Sequence, residues 1–242
     1  MAYIITLVFF VLVYIGVIYL MKYMRQVALT NAVFIGLVWI PYLMLSLTVY
    51  LDVGFYDWNY QNTLPTANVS PFMFTCVPLA LILPKRVKPY FLALISLLSV
   101  GMFVSTVLGC IYNAVIDYKF HIHFTYDYVA HIALSLFGVY IIRSKQVQLD
   151  AKHTLIGSLL ILGAATGMLI LNLIFDTAFF GLSLNGKHNI YNNVLVDNSY
   201  VSALLYYAGL VVVLLLGYGY MRWMARPKLE ISTHKAVKNR QV

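Results

Sequence analysis

Asp127, His131 and Ser135 recur at intervals of four and so fall on one face of a helix, in the order carboxylate, imidazole, hydroxyl. A carboxylate one turn from a histidine can fix the ring tautomer and raise its basicity, and a histidine one turn from a serine can accept its proton. The trio therefore offers a general base with its orienting acid, and Ser135 as a candidate hydroxyl. A second pair at the same spacing, Asn172 and Asp176, closes a later apolar run with an amide and a carboxylate. The stretch Gln61 to Pro71 contributes more polar groups, Asn62, Thr66, Asn68 and Ser70 among them, and its prolines at 65 and 71 stand directly before another apolar run. Such a segment is expected to enter the outer leaflet as irregular backbone lining a cavity. His121 and His123 lie two apart beside Lys119 without a cysteine or a His-x-x-x-His helix, so no metal site is expected, and nothing in the sequence calls for a cofactor.

The elements that must carry these groups follow from composition. Of 242 residues 62% are hydrophobic and only 10% charged, against about a quarter charged in a soluble domain, and the mean hydropathy is +0.84. A soluble globular domain is excluded. Apolar runs of the length that crosses a hydrocarbon core of about 30 Å predict spans at 2–21, 27–51, 66–84, 89–116, 127–143, 154–175 and 199–221. A run such as Leu204 to Leu216 does not alternate in polarity, so the spans read as helices and not as strands of a barrel. The expected fold is all-α: a polytopic bundle of seven transmembrane helices over 1–221, then a basic tail over 222–242. No positive charge precedes the first apolar run and no small-residue cleavage site follows it, so it is expected to remain as a span.

Sixteen Lys and Arg against eight acids give a net charge of +8, and their placement explains it without a nucleic-acid partner. Lys22 and Arg25 follow the first span, Lys85, Arg86 and Lys88 the third, Arg143, Lys145 and Lys152 the fifth, and six more run from Arg222 to Arg240; only Lys119 and Lys187 fall on the other side. Basic residues are retained in the cytoplasm. The expected orientation has the N-terminus outside and the C-terminus cytoplasmic, in a plasma membrane, with the polar groups above gathered in an outward-facing pocket. Cys76 and Cys110 both sit inside apolar runs and form no framework. The last span has no lysine for a retinal Schiff base, no acidic pair lies deep in a span, and no phosphate-binding glycine loop is present.

The order "NTLPTANVS", then "HFTYDYVAH" opening the fifth span, then "LNLIFDTAFFGLSLNG" ending the sixth resembles the YwaF-type bacterial integral membrane proteins, over about residues 60 to 220. That family in turn resembles eukaryotic membrane acyltransferases and hydrolases acting on phospholipids and fatty acid esters. Leu64, Pro65, Asn68 and Ser70 match the loop motif, His131 the family histidine, and Asn172 its asparagine. The chain departs from the pattern in having no cysteine between Leu64 and Ser70, and Asp197, Asn198, Ser199 and Tyr200 stand where the family has a Trp-rich segment. The resemblance implies a lipid or lipid-linked substrate. It further implies His131 with Asp127 as the base, Thr66 or Ser70 as acyl acceptor in place of the thiol, and Asn68 and Asn172 as donors to an oxyanion, beside Asn62 and Asp176. Two other readings fit seven spans: a small-molecule or lipid transporter or flippase, though the proline-glutamine signature of sugar carriers is lacking, and a non-catalytic subunit or assembly factor, favoured by the missing cysteine.

Overall fold

The computed structural model describes residues 2–50, 69–116, 122–175, 180, 182 and 199–225. These form seven α-helices: α1 (Ala2–Leu20, continued by a 3-10 turn at Met21–Tyr23), α2 (Val27–Tyr50), α3 (Val69–Ile82), α4 (Lys88–Val115), α5 (Ile122–Arg143), α6 (Ala151–Phe175) and α7 (Ser199–Ala225). No strand occurs among the described residues. Six of the helices are long and apolar enough to cross a membrane. The exception is α3, where a seventh full span was expected over 66–84: its 14 residues reach only about 21 Å at 1.5 Å per residue. At its end Pro84 disfavours helical backbone at Leu83. Helix α5 starts five residues before the expected 127, which moves Asp127 and His131 off the helix end and into its second and third turns. Helix α7 runs on through Ala225, into residues assigned to the tail.

The central pair is α4 and α5. Of the α5 span 78% is buried and of α4 56%, against 17–28% for α1, α2, α6 and α7, so the last four form the outer ring. Helix α5 is also the least hydropathic of the six long helices, and its central place removes its polar side chains from lipid. Without a hydrophobic force to join helices inside a membrane, close packing needs small residues at the contacts. A Cβ at Gly138 of α5 would lie 2.5 Å from Cβ of Ser99 on α4, and one at Gly217 of α7 would collide with the Leu97 carbonyl of α4. Serine reinforces the first of these contacts: Ser96 Oγ donates to the Leu92 carbonyl at 2.8 Å and approaches the Gly138 carbonyl at 3.3 Å.

At the end carrying most basic residues, α5 closes with two crossed bonds, Gln146 N–H to the Ile141 carbonyl and Lys145 N–H to the Ile142 carbonyl. This is the Schellman pattern, and it forces Lys145 to a φ of 57° where glycine is usual. Gln146 then exchanges two bonds with Asn31 of α2, at 2.8 and 3.1 Å. Arg143 donates to the Ile18 carbonyl at 2.6 Å, satisfying one of the carbonyls that the end of α1 leaves unpaired.

Candidate functional site

The histidine singled out by spacing is buried on α5, with 6% of its surface exposed. Side chains on a helix lean toward its N-terminus, so the ring reaches back one turn: Nδ1 lies 2.8 Å from the Asp127 carbonyl oxygen and 3.3 Å from its carboxylate Oδ1. Both neighbours only accept, so Nδ1 holds a proton, and in the neutral imidazole Nε2 then carries the lone pair. Nε2 faces Ser70 Oγ at 2.7 Å. With the imidazole neutral the serine hydroxyl donates to it, in the order Ser70, His131, Asp127, which is the chain of contacts that lets a histidine remove a serine proton while an acid orients the ring.

The lean that joins His131 to Asp127 takes it away from Ser135. Of the hydroxyls the sequence offers to His131, Ser135 one turn further along is not the one in contact with it: Ser135 is fully buried and bonds the Tyr14 hydroxyl of α1 at 3.0 Å. The hydroxyl on the imidazole comes instead from 61 residues earlier in the chain. Ser70 is the second residue of α3, half-buried, and precedes Pro71. Proline is tolerated in the first turn of a helix. Within α3 as described, the N–H groups of Val69 and Ser70 have no carbonyl partner, and they lie at the positive end of its dipole.

Two aromatic residues fix this arrangement. Phe74, one turn after Ser70, meets the His131 ring edge-on at 5.2 Å between centroids. Its carbonyl would ordinarily accept from residue 78, but that residue is Pro78 and has no N–H. Trp39 of α2 supplies the missing donor, Nε1 to the Phe74 carbonyl at 2.8 Å. Reading by side-chain chemistry alone passed over Phe74 and Trp39. The available signal was a proline four residues after a residue in an apolar helix, which leaves a carbonyl in need of an outside donor.

Asn172, on α6, is buried at 3% exposure and its amide donates to the Leu182 carbonyl. Phe180 stacks edge-on against Phe72 of α3 at 5.6 Å between centroids and holds a positive φ of 58°. Asn172 thus ties Leu182 to α6, and Phe180 packs on α3 two residues beyond Ser70. Asn62, Thr66, Asn68, Asp176 and His121 lie outside the described residues, as do most of the expected outer loop before α7 and the tail from 226. No family model, curated protein or solved structure matches this chain.

Proposed function

We propose that this membrane protein cleaves or transfers an acyl ester through Ser70, on a lipid substrate reached from the outer leaflet of the plasma membrane. The observation that carries the reading is the 2.7 Å contact between Ser70 Oγ and His131 Nε2, with Nδ1 turned to Asp127. In the first step Oγ bonds to the ester carbonyl carbon while its proton passes to Nε2. The negative charge on the carbonyl oxygen is met by N–H groups in the first turn of α3, which provide preorganised donors of the kind that stabilise such intermediates. The alcohol then leaves with the proton from His131, and an acyl-serine remains. Water in a hydrolase, or an acceptor hydroxyl in a transferase, repeats the sequence in reverse and frees Ser70. A lipid substrate accords with a site buried among membrane-crossing helices and with the chain's resemblance to YwaF-type proteins.

A fluorophosphonate tests this directly, because an activated serine displaces its fluoride and retains the phosphonyl group. The purified protein is expected to carry the label on Ser70. Labelling should vanish in Ser70→Ala and slow by about 100 to 10,000-fold in His131→Ala, the usual contribution of a general base, while Thr66→Ala labels normally. A folded protein that takes no label, or one labelled as fast without His131, refutes the reading.

A further inference from the structure

A second site lies at the opposite end of the bundle from Ser70. A cavity of about 610 Å³ opens there between the end of α1 and the end of α5, with Tyr19, Lys22, Met24, Arg143 and Met224 on its wall. Adjoining it through Met24 is a groove of about 280 Å³ whose exposed wall is wholly apolar, floored by Val129 and Leu136 of α5 and sided by Phe10 and Val17 of α1 and Phe34 of α2. Both outer helices lean on α5 more than on each other, which leaves the groove open along about two turns of α5, or about 10 Å.

The two spaces differ in chemistry in a way that matches one class of ligand. Arg143 engages the Ile18 carbonyl through Nη1 and touches only the weakly accepting Met224 sulfur, at 4.0 Å, through Nη2, although a guanidinium has five N–H donors. Lys22 is exposed and lies over the Tyr19 and Tyr23 rings at 4.1 and 4.8 Å. Among the described residues neither is in an ion pair with a carboxylate. A neighbouring cavity of about 600 Å³ on the other side of Arg143 holds Lys145 and Arg222 with the carboxylate of Asp150, and it shares no wall with the apolar groove, so it offers a head group no adjoining place for an acyl chain. Basic pockets between helices at the cytoplasmic end of a bundle bind anionic head groups.

We infer that this end of the bundle holds one anionic glycerophospholipid, its phosphodiester beside Lys22 and Arg143 and one acyl chain in the groove between α1 and α2. The site is independent of the Ser70 reaction and stands if that chemistry fails. The protein in non-ionic detergent is titrated with phosphatidylglycerol or with phosphatidylcholine of the same acyl chains, and bound lipid is counted by native mass spectrometry. One basic side chain near a head group favours an anionic lipid by about fivefold, so wild-type protein should prefer phosphatidylglycerol at least that strongly. Lys22→Gln should lower the preference about fivefold. Val33→Trp, which fills the groove from an exposed position, should weaken both lipids. Arg143 is left intact because it also caps α1. Lys235→Gln with Lys238→Gln should change nothing; a preference lost there belongs to the tail and overturns the site. Equal affinity for the two lipids, a preference that survives Lys22→Gln, or full competition by glycerol 3-phosphate, which has the phosphate without the chain, also overturns it.

Discussion

Substituting alanine for Gly138 should drive the two central helices apart. The added Cβ would stand 2.5 Å from Ser99 Cβ, 3.0 Å from Ser99 Oγ and 3.1 Å from the Ile95 carbonyl oxygen. Carbon atoms rest at about 3.5–4.0 Å, so the helices must separate by about 1 Å, and Ser99 Cβ has no torsion with which to move aside. A gap of that size forfeits about a quarter to a half of each neighbouring contact's attraction, and insertions into packed cores typically cost about 1–3 kcal/mol. The long Ser96 bond to the Gly138 carbonyl would add about 0.6 kcal/mol, the mean for interhelical bonds in a membrane host. Better helix propensity returns up to about 1 kcal/mol, so a net loss of about 2 kcal/mol is expected. Unfolding in mixed micelles by rising denaturing detergent measures it. Two variants calibrate the result: Gly219→Ala, whose Cβ would meet nothing within 4 Å, should be neutral or slightly stabilising, and Ser99→Gly should restore much of the loss when combined with Gly138→Ala. Equal stability of the two alanine variants, or no recovery in the double variant, would show that this contact does not hold α4 to α5.

Three further outcomes are expected. In intact cells an impermeant maleimide should label Ile190→Cys and not Lys235→Cys; label at 235 reverses the orientation. Lys145→Gly should raise stability by about 1 kcal/mol, since it removes the strain of a left-handed lysine, and unchanged unfolding counts against the Schellman end of α5. The backbone N–H of His153, donating to Asp150 Oδ1 at 2.8 Å, holds that carboxyl below its usual range. A depressed value in the folded state means that the charge stabilises above the unfolded value of about 3.9 and that this contribution is lost as pH falls through the lower folded value. Asp150→Asn keeps a cap that cannot titrate, so its deficit relative to wild type should close in thermal unfolding below about pH 4; a deficit independent of pH refutes the assignment.

What the sequence made legible was whatever depends on local period. The pairing of Asp127 with His131 follows from four-residue spacing, and the long helices follow from run length. Partners contributed by other helices were not legible in the same way. Ser135 has the same spacing from His131 as Asp127 does, yet the lean of the ring gives that place to Ser70, and only tertiary packing brings Tyr14 to Ser135. The resemblance implies Asn172 as a donor to the reaction; in the structure its amide donates to the Leu182 carbonyl, a partner that no spacing announces. The end of α3 at Ile82 was not legible because the apolar letters of Leu83 and Pro84 count toward a span although their backbone is not helical.

The shortness of α3 places a demand on the surrounding lipid. Its neighbour α4 has 28 residues and α3 has 14, about 42 Å against 21 Å, so the bilayer around one protein meets two different hydrophobic heights. The described helix α3 falls about 9 Å short of an average core of about 30 Å, and thinning is one way lipid meets such a deficit, at a modest energy per ångström. On the reaction proposed at Ser70, thinning at the start of α3 would bring the ester layer of the leaflet toward that hydroxyl. A thicker bilayer would have to deform further to do so, and on that proposal it is expected to slow the reaction.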